Sequence, residues 1–138
     1  MPIELIKAKP KDASVLAQMN LRLIQDEGHR NPMTLNQLTQ RMRKWLHGKY
    51  STYLFLKDEQ VFGYCRFVKK DEFVYIAHFF IERGFRRAGL GKQTIELLRK
   101  RFWKNERRLR LEVLITNRRG IKFWRSVGFK DYSLTMEL

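Results

Sequence analysis

Residues 86–92 read Arg-Arg-Ala-Gly-Leu-Gly-Lys, a combination suited to holding an anion. The apolar run Tyr75 to Ile81 precedes it and predicts a strand. Leu90, Ile95, Leu97, Leu98 and Phe102 follow it at helical spacing. A strand, a glycine-bearing turn and a helix start bring bare backbone N–H groups and the positive end of the helix dipole to one spot. Helix starts ordinarily favour Asp and Glu. This one carries Arg86, Arg87 and Lys92, each costing roughly 0.3–1 kcal/mol against the dipole when exposed. A bound polyanion turns that cost into a gain. The plainer alternative is a solvated basic turn.

Spacing narrows the choice of anion. A Walker A loop needs Gly-x4-Gly-Lys-Ser/Thr, but Arg86 occupies the first position and Gln93 the last. A dinucleotide fingerprint needs a third glycine where Thr94 stands. Arg86-Arg87-Ala88-Gly89-Leu90-Gly91 instead resembles the R/Q-x-x-G-x-G/A pyrophosphate loop of the GNAT superfamily of acetyl-CoA-dependent N-acetyltransferases. A second block agrees. Arg110 to Ile115 alternates like a strand, with Leu111, Val113 and Ile115 on one face. Asn117 then reads as a helix N-cap and Gly128 as the residue that ends that helix. Asn117, Gly120, Phe123, Trp124, Gly128 and Phe129 resemble the family's N-x-x-A-x-x-F/L-Y-x-x-x-G-F segment. The resemblance covers the chain from about Val74 onward; the first half matches in its order of elements.

The resemblance implies an α+β fold of α/β/α layers. Its central sheet is mixed and mostly antiparallel, helices cover both faces, and the two central strands, 73–81 and 109–115, splay apart. It also implies direct transfer of an acetyl group from acetyl-CoA to an amine, with acetyl-CoA as cosubstrate and no metal. On that reading the cofactor meets Phe79, Phe80 and Ile81 on the strand. It meets Arg86, Arg87, Ala88, Gly89, Leu90, Gly91 and Lys92 in the loop, and Asn117 and Trp124 beyond. One of Arg118 and Arg119, both set against a helix dipole, would reach a CoA phosphate. His78 is the first candidate for the base that takes the amine's proton, because its ordinary pKa near 6.5 suits the task. Glu27 and His29, in the loop bordering the family's acceptor site, come second. Trp124 stands where many members carry a tyrosine that protonates the leaving thiolate, and an indole N–H is no acid at neutral pH. Tyr132 or water is left for that role. A non-catalytic acyl-CoA-binding module on the same fold is the alternative reading, and a basic nucleic-acid-binding domain is a third.

The elements that must position these residues are legible in outline. Ile3 to Lys9 predicts a strand closed by Pro10. Asp12 or Ser14 caps a helix running to Glu27, with Leu16, Met19, Leu23 and Ile24 inward and Gly28 as its stop. Thr34 caps a second helix with the apolar row Leu38, Met42 and Leu46. Strands over 53–56 and 61–68 follow, joined by a turn at Asp58, Glu59 and Gln60. A last strand is expected over Leu134 to Leu138.

Length and composition set the bounds. The 138 residues suit one domain, residues 1–138. With 43% hydrophobic and 13% aromatic residues the chain can build a core. No apolar run reaches a membrane span, which needs about 18 residues, and the start resembles no secretory signal. The single cysteine, Cys65, fits a reducing compartment, so a cytoplasmic location is expected. Three histidines and one cysteine do not make a metal cluster. The net charge of +15 is spread along the chain rather than gathered in one stripe. It fits an anionic cosubstrate and only weak, salt-sensitive contact with nucleic acid. The expected C-terminal strand and exposed apolar side chains would permit a homodimer.

Overall fold

The computed structural model describes residues 2–86 and 88–138; Arg87, expected in the phosphate loop, lies outside the described residues. Five strands form one sheet in the order β1-β2-β3-β4-β5, with β1 Glu4–Lys7, β2 Ser51–Lys57, β3 Gln60–Lys69, β4 Val74–Ile81 and β5 Leu109–Arg110. The first four run antiparallel to their neighbours, and β5 runs parallel to β4. Helices α1 (Ala13–Glu27) and α2 (Leu35–Trp45) cover one face; α3 (Leu90–Arg101) and α4 (Arg118–Ser126) pack on the other. This is the mixed, mostly antiparallel sheet with helices on both faces that the resemblance implies.

Local chemistry sets the helix ends. Gly28 closes α1 at φ +70°, a left-handed value that suits a residue without a Cβ. Thr34 and Gln37 form a reciprocal capping box at the start of α2. Asn117 caps α4, its side chain accepting the Gly120 N–H at 3.0 Å. The core falls into two layers on either side of the sheet. Leu16, Met19, Leu23 and Met42 pack with Leu54, Tyr64 and Phe80 on one face, and Leu90, Ile95, Leu98 and Trp103 pack with Phe67, Val74 and Ile76 on the other.

Two irregularities in β4 create the space for a site. Arg66 faces His78 but Phe67 faces Ile76, so Ala77 is an extra residue, a bulge. Val74 and Ile76 point to the α3 face. Strict alternation would send His78 and Phe80 the same way. The bulge reverses the phase, and Phe80 joins the α1–α2 layer while Ile81 takes the α3 side. The second irregularity lies on the other edge. β4 and β5 pair only at Val74–Leu109 and Tyr75–Arg110, after which they diverge.

That divergence corrects two expectations. The segment 109–115 forms ladder bonds only over Leu109–Arg110, and residues 134–138 form no strand. An extended, alternating segment becomes a strand only where a neighbouring backbone accepts its hydrogen bonds. Neither segment has such a neighbour among the described residues. Ile115, Leu134 and Met136 are consequently exposed. The C-terminal segment is tied down by side chains instead: Arg110 lies against Tyr132, and Arg30 pairs with Glu137 at 2.8 Å.

The difference between these regions is measurable in urea. Leu16→Ala, at a fully buried site, should cost about 2–5 kcal/mol. Leu134→Ala, in the unpaired segment, should stay within about 0.5 kcal/mol. A large loss at Leu134 would mean that the segment pairs after all.

Candidate active site

The widening gap between β4 and the chain beyond β5 is a cleft of about 520 Å³. Phe79, Phe80 and Ile81 form its floor, the α3 start supplies Gly89, Gly91 and Lys92, and Asn117, Gly120, Phe123 and Trp124 come from α4. Beyond Tyr75 the outer edge of β4 has no strand partner among the described residues. A strand edge without a neighbour offers backbone N–H and C=O groups to an extended, amide-bearing ligand.

Gly89 is the N-cap of α3 at φ +75°, with no side-chain cap and no acidic residue in the first turn. The first ladder bond is Gln93 N–H to the Gly89 carbonyl at 3.1 Å, so the amides before it are left over from the helix. Lys92 adds a cation at the same end. Gly91 serves a second purpose, because a Cβ there would sit 2.9 Å from the Phe123 ring. The bare glycine lets α4 close over the α3 start. Phe79 and Phe123 stack beside it and Trp124 meets both in a T-shaped arrangement, with centroids 5.0–5.9 Å apart. This wall is apolar and the α3 end of the cleft is electropositive. A CoA moiety, with an amide-bearing arm and a pyrophosphate, fits both halves.

The arginines divide their work in a way the sequence did not reveal. Arg86 donates Nε to the Ile81 carbonyl at 2.7 Å and Nη2 to Asp26 at 2.6 Å. Arg83 donates to the other Asp26 oxygen at 2.7 Å. Burial alone would raise the Asp26 pKa, but the bonds and charges of these two arginines hold it below the usual carboxylate range. Arg86 therefore ties the loop to α1 while also lining the cleft. Arg119 at the α4 start lines the cleft and is a cation available there. Ala88 is exposed and Leu90 is buried in the core; neither lines the cleft.

A second cavity, about 300 Å³, adjoins the first, lined by Asn20, Glu27, His29, Arg41, Trp45 and His78 among others. Leu23 and Glu27 line both cavities. Glu27 thus stands at the junction. Desolvation raises its pKa above that of an ordinary glutamate, against the opposing pull of His29, whose Nε2 lies 3.0 Å from its carboxylate.

His78 faces this second cavity, placed there by the bulge. Its Nδ1 lies 2.9 Å from the Tyr64 hydroxyl, and its ring meets the edge of Trp45. Desolvation first, then the charges of Arg66, Arg41 and His29, lower its pKa to about 3. His78 is therefore neutral across the physiological range. Tyr132 lines neither cavity: it is 76% exposed and bonded to Arg110. The structure so brings Glu27, His78 and the cofactor-cleft residues together and leaves Tyr132 outside.

Asn20, Arg41 and Arg66 are residues that the sequence reading passed over. Asn20 is fully buried on the inner face of α1, accepting from Arg41 Nη2 at 3.0 Å. A polar residue on an apolar helix face, and an arginine inside an apolar strand, were the available signals.

Comparison with known proteins agrees with this geometry. The model of the acetyltransferase (GNAT) family matches residues 19–129, which is most of the chain, and the protein belongs to that family. A possible acetyltransferase from Clostridium difficile 630 superposes with a TM-score of 0.80 at 16% identity, covering 100% of this chain and 97% of its own. A ribosomal-protein-alanine N-acetyltransferase from Brucella melitensis biovar Abortus 2308 gives 0.78 at 15% identity, covering 99% of both chains. An aminoglycoside N-acetyltransferase solved in complex with CoA gives 0.76 at 13% identity, covering 99% of this chain and 93% of its own. No curated protein sequence matches this chain significantly. Among the described residues no helix is long and apolar enough to cross a membrane.

The buried neutral histidine has a consequence for stability. The unfolded chain binds a proton at His78 near pH 6.5, whereas the folded chain does so only near pH 3. Stability from this site is therefore complete above pH 6.5 and is lost as pH falls toward 3. Melting curves at pH 7.5 and 4.5 should show a smaller drop for His78→Gln than for the parent. Equal drops would mean that His78 titrates normally.

Proposed function

We propose that the protein transfers an acetyl group from acetyl-CoA to a primary amine, with Glu27 accepting the amine's proton. The position of Glu27 at the junction of the two cavities carries this reading. The larger cleft suits the cosubstrate and the smaller cavity the acceptor, so an amine in the smaller one meets the thioester beside Glu27.

When bound, acetyl-CoA supplies an activated acetyl carbonyl. Lys92, Arg119 and the α3 amides hold the pyrophosphate by charge and directed hydrogen bonds. The open edge of β4 orients the pantetheine arm. Backbone N–H groups near Phe79 to Ile81 stabilise negative charge on the carbonyl oxygen. The amine nitrogen forms the new C–N bond, its proton passes to Glu27 directly or through water, and the C–S bond breaks. Sulfur leaves as thiolate and takes its proton from water, since no tyrosine is among the described residues that line the cleft.

Glu27 takes precedence over His78 as base for a physical reason. A general base works best with a pKa near the working pH. Burial moves Glu27 upward toward that range and moves His78 downward away from it. Neutral His78 fixes the cavity wall through Tyr64.

Two variants test this function. Glu27→Gln should lower kcat by about 10²–10⁴-fold with a much smaller change in the dissociation constant of acetyl-CoA. The parent's rate should fall as pH drops through the raised Glu27 pKa, a limb absent from the variant. Gly91→Asp should weaken CoA at least about tenfold, or 1.4 kcal/mol, since it displaces Phe123 and adds a negative charge. Unchanged calorimetric affinity would remove the α3 start from the cofactor site.

A further inference from the structure

The acceptor cavity has an uneven charge pattern. Glu27 is the one carboxylate among its lining residues, and it is engaged by His29. Arg41 and Arg30 also line it. Arg30 is paired with Glu137 at the surface, but Arg41 has no carboxylate partner among the described residues. Directly behind the cavity wall stands Arg66, 8% exposed and likewise without a carboxylate.

These arginines are held by aromatic faces. The Arg41 and Arg66 guanidinium carbons lie 4.1 and 3.9 Å from the centre of the Trp45 ring. Trp45 thus contacts both guanidinium groups. Arg66 is covered in turn by Tyr50 at 3.9 Å. Trp45 and Arg41 line the cavity, and Trp45 links them to Arg66 and Tyr50. The Nε atoms of both arginines are buried without a hydrogen-bond partner. Burying a guanidinium without a carboxylate is costly, and stacking on aromatic faces returns only part of that cost. The arrangement keeps a positive charge at the cavity wall that the protein itself does not neutralise.

We propose that the acceptor is a small primary amine that also carries a carboxylate, its amine directed to Glu27 and its carboxylate to Arg41. This deepens, and rests on, the acetyl-transfer reading of the same site. Arg41 spends one Nη donor on Asn20 and has further donors in a planar fork that matches a carboxylate. Arg66 supports the field through the Trp45 ring. The volume of about 300 Å³ is at the small end of ligand pockets and suits an amino-acid-sized molecule. A polycation would meet one engaged carboxylate and two arginines, so the pocket rejects it.

The experiment compares free amino acids with their carboxamides and with a polyamine, following CoA release. The parent should favour carboxylates over the matching carboxamides by at least about tenfold in kcat/KM, the value of one charge-assisted hydrogen bond of about 1.5 kcal/mol. In Arg41→Gln that ratio should fall toward one, through KM rather than kcat, and Arg41→Lys should recover part of it. A purely structural role for Arg41 would lower both acceptors equally and leave the ratio intact, which overturns the proposal. So does equal or better use of carboxamides or the polyamine by the parent, or the absence of any carboxylate acceptor in a protein that binds acetyl-CoA. Failure to bind acetyl-CoA in calorimetry would instead sink the underlying transferase reading. Circular dichroism verifies folding; if Arg41→Gln is unfolded, the parent's carboxylate-to-carboxamide ratio and Arg41→Lys decide.

Discussion

The site depends on the parting of two parallel strands. β4 and β5 share two residue pairs and then separate. A sheet that stayed paired would consume the backbone groups of β4 and leave no opening between α3 and α4. Parting leaves a strand edge without its ladder, a costly arrangement in a core unless something covers it. Phe79, Phe123 and Trp124 line the gap as a wedge of rings, and Gly91 lets Phe123 settle over the start of α3. Cleft, helix terminus and aromatic wall are thus consequences of one topological choice.

The bulge at Ala77 is the second determinant. It turns the far half of β4 over, so that Ile81 stays with the α3 core while His78 and Phe80 face α1 and α2. On that face polar groups meet in a medium that hydrates them poorly. Their protonation follows from burial and from one another: His78 stays neutral, Glu27 is pushed up, and the Tyr64 hydroxyl is held protonated by desolvation. The two faces of one strand thereby serve different chemistry. One borders an apolar cleft with Lys92 and Arg119 at its electropositive end, and the other a polar cavity that Arg41 lines.

The large positive charge is likewise used unevenly. Arg83 and Arg86 are drawn to Asp26 and anchor the loop to α1. Arg41 and Arg66 stack on aromatic rings. Lys92 and Arg119 remain in the cleft as cations. Neighbours in sequence, such as the arginines of the 83–92 region, thus differ in role according to which carboxylate or ring lies within reach.

The sequence by itself determined the helices, the caps at Gly28, Thr34 and Asn117 and the first four strands, because these rest on periodicity and on Gly, Asn and Thr at fixed offsets, whereas Asp12 makes no side-chain cap bond to α1. Gly28, Thr34 and Asn117 stand where such local rules put them. It also carried the family, through two motifs in the right order. Only the tertiary structure decided where strands end, since Leu111 to Ile115 and Leu134 to Leu138 alternate correctly but lack a partner. It decided the partner of Arg86, the exposure of Tyr132 and the neutral state of His78, each set by residues distant in the chain. Asn20, Arg41, Trp45, Tyr64, Arg66 and His78 come from two helices and two strands. His78 joins the other five through a single-residue bulge, which sequence periodicity registers only as a strand and not as a change of face.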